Sequence, residues 1–329
     1  MTRYSLDQPG SVAIEEDWHG LSLPALIRAA SEVDLPGWIG RNHTVVDDLA
    51  HGAGAVLMRG FDVRAATDLR AVMDGISPDV LTYGERSSPR TEISSGVYTS
   101  TDYPQDQHIV LHNEQSYTTR WPLRIVFACE QPASSGGRTP LADSRKILAR
   151  ISPATAAKFE ERGILYVRNY LPGISLSWQT AFQSESKEDV ESYCAASDIA
   201  TEWIDASHLR TSQVRPAIRC HPTTGQRSWF NHALFFNVSS LPVEIRDGLL
   251  ELMPEEDLPY NTYYGDGSAI EADTLAEVQA AYDAETVGFD WEPGDVLLVE
   301  NMITAHGREP FEGQRSILVS MSDPIGSDA

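Results

Sequence analysis

Cysteine is scarce in this 329-residue chain: Cys129, Cys194 and Cys220 lie far apart, are odd in number and form no CxxC pair. That usage gives neither a disulfide framework nor a thiolate zinc site, and it fits a reducing cytoplasm. Basic residues are short as well, 25 Lys and Arg against 48 Asp and Glu, for a formal charge of −23. A chain of that sign repels phosphate backbones and anionic bilayers, so neither nucleic acid nor membrane is expected among its partners. The N-terminal MTRYSLDQPGSVAIEEDWHG lacks the apolar core of an export signal. No stretch approaches the roughly 18 apolar residues of a membrane span, so neither export nor insertion is expected. Internal repeats, low-complexity tracts and linkers are missing too, which predicts a single domain over residues 1–329.

What is present is ordinary globular material: 41% apolar and 22% charged residues, enough to bury a large core without disulfides. Ser22-Leu23-Pro24-Ala25-Leu26 is expected to open a helix, and a second helix is expected from about Thr44 to His51. GAVLMRGFDV (54–63) reads as a buried strand, and RAATDLRAVMDGI has helical spacing. From Gly96 onward strand-like runs dominate, including HIVLHNEQSY (108–117) and LRIVFACEQ (123–131), the latter followed by the turn ASSGGRTP (133–140). A large helical insert is expected at about 143–257, where SRKILARI, ATAAKFEERG and VEIRDGLLELM carry apolar residues at spacings of three and four. Strand character returns in GFDWEPGDVLLVENM (288–302) and RSILVSM (315–321).

His112 and Glu114 sit two apart on a strand-like segment, and strand alternation would place both side chains on one face, within reach of a shared metal. His306, far downstream and just past the apolar DVLLVEN, would complete a facial set of two imidazoles and one carboxylate. Such a set leaves coordination positions open, which oxygen activation requires. A lone His-x-Glu is a weak signal; Arg315, at the start of RSILVSM, strengthens it, because a guanidinium fork there could grip the far carboxylate of 2-oxoglutarate.

HNE (112–114), GGRTPLADSR (136–145) and GDVLLVENMITAHGREPFEGQR (294–315) together resemble the taurine dioxygenase and clavaminate synthase superfamily of iron(II)/2-oxoglutarate oxygenases, over roughly residues 50–322. TYGERSSPRTEISSGVYTSTDYP, HNEQSY, LYVRNY, QVRPAIRCHPTTG and WFNHALFFN are similar to the branch typified by the syringomycin-pathway aspartyl hydroxylase. The resemblance implies a mixed α/β fold with a mainly β core, a double-stranded β-helix (jelly roll) with flanking helices. It implies Fe(II) on His112, Glu114 and His306, with 2-oxoglutarate and O2 as cosubstrates. Arg315 would bind the C5 carboxylate of 2-oxoglutarate and Thr139 would support it. Glu stands where many relatives have Asp, and Val319 stands where some carry a second arginine. Related halogenases lack the carboxylate ligand, so Glu114 points to hydroxylation.

The implied substrate is a small amino-acid-like molecule, free or presented on a peptidyl carrier domain, oxidised at its β-carbon in natural-product biosynthesis. A free arginine- or asparagine-type hydroxylase or desaturase is the alternative within the class. Zinc-dependent hydrolysis and a non-catalytic metal-binding regulatory module are the readings outside it. Arg86 and Arg90 are candidates for substrate carboxylates, and Asn113, Gln115 and Asn231 for neutral polar contacts. His108, His221 and His232 read as satisfied or exposed histidines.

Overall fold

The structure is a computed structural model that describes residues 6, 11–81, 85, 91–94, 96–100 and 103–326. Among these, the largest sheet has eight strands in the spatial order β1 (Val12–Glu15), β2 (Ala25–Ala29), β3 (Ala55–Arg59), β16 (Val296–Glu300), β7 (Arg120–Gln131), β19 (Ser316–Gly326), β5 (Val97–Thr99) and β4 (Glu92–Ser94). A smaller sheet runs β6 (Ile109–His112), β17 (Thr304–Arg308), β9 (Leu141–Asp143). Beside it β8 (Ser135–Gly136) pairs with β18 (Phe311–Glu312).

The central strands are unbroken apolar runs because both of their faces are buried. Alternation divides each run between two cores. Val56, Met58, Val126, Ala128, Val296 and Leu298 face one way, into a cluster with Trp38, Ile39, Val46, Leu49, Leu69 and Val72. Those last residues come from α1 (Leu35–Ala53) and α2 (Ala66–Ile76), which therefore cover that face. Leu57, Ile125, Phe127, Leu297 and Val299 face the other way and meet Leu141 of β9, so the small sheet covers the second face. Each such fully buried Leu, Ile or Val contributes roughly 1.5–3 kcal/mol relative to an exposed one. This two-sheet core is the mainly β jelly-roll architecture expected from the resemblance.

Two expectations for the N-terminal region need correction. The helix expected to open at Ser22 is instead strand β2, parallel to β3, with Ala25 and Ile27 in one core and Leu26 in the other. Five residues are too short for periodicity to separate a buried strand from a helix turn. The helix expected at Thr44 is the second half of α1. It starts earlier because Pro36 suits a first helical turn and the Asp34 carboxylate caps Gly37 N at 3.2 Å.

The region expected to be a helical insert holds α3 (Ser144–Arg150), α4 (Pro153–Arg162), α5 (Trp178–Phe182), α6 (Lys187–Ala196) and α7 (Val243–Leu252). It also carries a four-stranded antiparallel sheet, β11 (Ala200–Trp203), β12 (Leu209–Arg215), β10 (Ile164–Tyr170) and β15 (Tyr260–Tyr264), with a hairpin of β13 (Ile218–Cys220) and β14 (Arg227–Trp229). That sheet runs past Asp257, and α8 (Ala272–Glu285) packs Leu275, Val278 and Tyr282 into the same cluster as Phe159, Ile164 and Tyr264. Buried Arg168, Thr211 and Arg215 inside β10 and β12 hide the apolar alternation that would have marked them as strands. No described helix is long and apolar enough to cross a membrane.

Candidate metal centre and cosubstrate site

The small sheet brings the two histidines together. β17 pairs antiparallel with β6 so that His306 lies directly opposite His112, and a register shift follows between His306 and Arg308. Strand β6 ends at His112; Glu114 lies in the turn beyond it, with Gln115 at φ 54°. The expected geometry is thereby corrected: a tight turn, rather than strand alternation, returns Glu114 toward the histidines. The ligand atoms of His112, Glu114 and His306 all lie within 4.8 Å of one another. Glu114 and His306 are buried and His112 is partly so.

The surroundings prepare these donors. His112 Nδ1 donates to Val110 O at 2.9 Å, which leaves the Nε2 lone pair for a metal. Phe235 packs on His112 at 4.8 Å and Phe127 on His306 at 5.3 Å between ring centroids, walling the cluster with hydrocarbon. His232, 5.6 Å from the His112 ring, has its Nδ1 2.6 Å from Ser116 Oγ. Burial first and His112 second hold its pKa well below the ordinary imidazole value. It is a neutral, satisfied neighbour, as expected, while His108 is exposed.

A second set, His51, His221 and Glu300, is equally close-packed. Its hydrogen bonds argue against a metal. His221 Nδ1 accepts from Thr223 N at 3.3 Å and Thr224 N at 3.2 Å, so the ring proton sits on Nε2 and is donated to Glu300 Oε1 at 3.0 Å. Coordination there would require stripping that proton, and Arg124 Nε, 3.8 Å from Glu300 Oε2, already supplies a cation. The set is a buried polar network behind β16.

The GGRT turn forms the other half of the candidate site. Gly136 and Gly137 both adopt positive φ, 67° and 72°; a Cβ on Gly136 would sit 2.3 Å from Pro310 O, and one on Gly137 would crowd Ala133, Arg315 and Phe311. The close approach they permit lets Arg315 Nε donate to Gly137 O at 3.0 Å. Burial, then the neighbouring Arg308, push the Arg315 guanidinium down to about 10, so it remains a cation at neutral pH. No carboxylate pairs with it among the described residues, while Arg308 is engaged by the carbonyls of Tyr103, Pro104 and Gln107. A half-buried cation with no carboxylate partner among the described residues fits a carboxylate ligand. Thr139 is buried, and its Oγ1 accepts from Trp291 Nε1 at 3.1 Å, leaving its hydroxyl proton to donate elsewhere.

The candidate substrate contacts fare differently. Asn113 is corrected: it is fully buried and its amide nitrogen is spent on Ser144 Oγ and Asn301 O, so it shapes the ligand turn instead of reaching a substrate. Asn231 is corrected likewise, its side chain bridging Ala217 O and Ala233 N. Gln115 is buried next to Glu114 in the same turn and remains a candidate. Arg86 and Arg90 lie outside the described residues. Sequence reasoning missed Trp291, Phe127 and Asn301; each sits in an apolar or turn context that gives no motif, and its role follows from what it touches.

Comparison with known proteins gives the family and the class of enzyme. The family described as taurine catabolism dioxygenase TauD, TfdA matches residues 20–321. The dapdiamide synthesis protein DdaC of Enterobacter agglomerans is 38% identical over 284 residues, covering 86% of each chain. A clavaminate synthase-like protein of Arabidopsis thaliana is 29% identical over 286 residues, 84% of this chain and 83% of its own. In fold the chain is similar to PvcB from Pseudomonas aeruginosa, with a TM-score of 0.56 at 16% identity over 99% of this chain and 97% of that one. The chain belongs to the TauD, TfdA dioxygenase family and is an iron- and 2-oxoglutarate-dependent dioxygenase.

Proposed function

We propose that this enzyme hydroxylates an unactivated C–H bond, at the β-carbon, of an amino acid or amino-acid-like molecule in natural-product biosynthesis, free or held on a peptidyl carrier domain. The observation that carries the reading is the complete set of His112, Glu114 and His306 donors within 4.8 Å, because an intact carboxylate leaves no ligand position for a halide. The relative named for dapdiamide synthesis supports a biosynthetic setting. Resemblance of HNEQSY and WFNHALFFN to the aspartyl hydroxylase branch supports an amino-acid skeleton.

In this reading His112 Nε2, Glu114 and His306 hold iron(II), and the protonated His112 Nδ1 donates to Val110 O, which keeps the ring oriented. Bound iron, with 2-oxoglutarate and O2, supplies the oxidation of the C–H bond, and succinate and CO2 leave. Arg315 grips the far carboxylate of 2-oxoglutarate with its guanidinium fork, and Thr139 donates its hydroxyl proton to the same group while Trp291 occupies its lone pair. Phe127 and Phe235 exclude water from the reacting side.

Mass spectrometry of free and carrier-bound amino acids incubated with enzyme, iron(II) and 2-oxoglutarate tests the proposal. A product heavier by one oxygen atom, formed with succinate, is expected. Loss of two hydrogens instead would favour the desaturase alternative, and a panel with no oxidised amino acid in either form would overturn the substrate class.

A further inference from the structure

The turn that carries Glu114 has lost the strand ladder, so its backbone needs other partners, and one side chain supplies them. Asn301 lies in the turn between β16 and β17 and is fully buried. Its Oδ1 accepts from Glu114 N at 2.7 Å, and its Nδ2 donates to Glu114 O at 2.9 Å and Pro122 O at 2.8 Å. Its own backbone is equally committed: Asn301 N donates to Leu123 O at 2.7 Å, and Asn301 O accepts from Asn113 Nδ2 at 2.7 Å. Asn113 in turn donates to Ser144 Oγ at 3.1 Å, at the start of α3. The Asn301 amide thus imitates a neighbouring strand for a single residue, and that residue is a candidate metal ligand.

The two histidines need no such device. His306 and His112 are directly paired residues of adjacent strands, and the backbone ladder fixes their spacing. Glu114 stands beyond the end of that ladder. Its position relative to the histidines is set by the clamp, which reaches it from the turn leading into β17, the strand of His306. The side chain there must be short and must offer one acceptor and two donors, and among ordinary residues only the asparagine amide meets that demand. An aspartate would set a second acceptor against the carbonyls of Glu114 and Pro122.

From this geometry we infer that Asn301 is a positioning residue for the carboxylate leg of the metal centre: it holds Glu114 in coordinating position through the backbone, without touching metal or substrate. The inference rests on the reading of His112, Glu114 and His306 as the iron ligands. It predicts a selective defect. Losing the amide loosens one leg and leaves the histidine pair in place.

Anaerobic titration of the metal-free full chain with Co(II), followed by its visible absorption, reads that defect without turnover. Asn301→Asp and the milder Asn301→Ser are expected to bind Co(II) about ten- to a hundredfold more weakly than wild type, the range for residues that orient ligands. Their Co(II) spectra should resemble that of Glu114→Ala. Arg59→Met, remote from the ligands, serves as the stability control: it should unfold more easily yet bind Co(II) as wild type does. Folded Asn301 variants with wild-type affinity and spectrum would overturn the inference. Hydrogen exchange on the wild-type apo-protein gives an independent arm that needs no variant, since the Glu114 N–H should be protected like a ladder amide. Rapid exchange there would overturn the clamp. Failure of the underlying reading looks different, because then Glu114→Ala would bind Co(II) as tightly as wild type.

Discussion

At the scale of single residues, the site divides into what chemistry demands and what packing demands. His112, Glu114, His306, Thr139 and Arg315 could be proposed from the sequence because metal and oxoglutarate binding allow few residue types, and the structure brings the first three within 4.8 Å of one another. Asn113 was misread for an instructive reason: a polar residue between two ligands invites a substrate role, yet its amide is consumed by Ser144 and Asn301. Asn301 was passed over because its function is to satisfy a backbone, a requirement that exists only after the turn has formed. Arg315 gives the sharpest test at this scale. Charge-assisted hydrogen bonds contribute roughly 1.5–3 kcal/mol each, so Arg315→Ala should raise the KM for 2-oxoglutarate by about tenfold or more, with binding of Co(II) alone little changed. Steady-state kinetics against 2-oxoglutarate check this, and an unchanged KM would remove Arg315 from the cosubstrate site.

At the scale of elements, strands buried on both faces were readable as apolar runs, whereas β10 and β12 were not, because their interior carries Arg168 and Arg215. Strand β2 was misread because a five-residue apolar run after Pro24 fits either period. A buried ion pair ties the core strands to the loop before β16: Arg59 on β3 donates to both Asp295 oxygens, at 3.0 and 2.6 Å, and to Asp290 O at 2.8 Å. Burial pushes the Asp295 carboxyl up, against the pull of Arg59 that holds it charged. Arg59→Met leaves that carboxylate buried without its cation, and removing one partner of such a pair costs about 3–5 kcal/mol. Urea denaturation at neutral pH should show a loss of that order; a loss under about 1 kcal/mol would mean the pair is incidental to the sheet.

At the scale of the whole molecule, the proposed metal centre lies where two distant stretches of chain meet. His112 and Glu114 come from just past the first third of the sequence and His306 from near its end, and the pairing of β6 with β17 joins the two histidines. Spacing in the sequence could name these residues without showing how they meet, since the turn after β6 and the Asn301 clamp are products of the folded sheet. Anaerobic titration of the full chain with iron(II) and 2-oxoglutarate tests the metal-centre assignment most directly, through the weak visible charge-transfer band of the chelate. The band should appear in the wild type and vanish in His306→Ala; its absence from the wild type, or its persistence at full strength in the variant, would contradict the account.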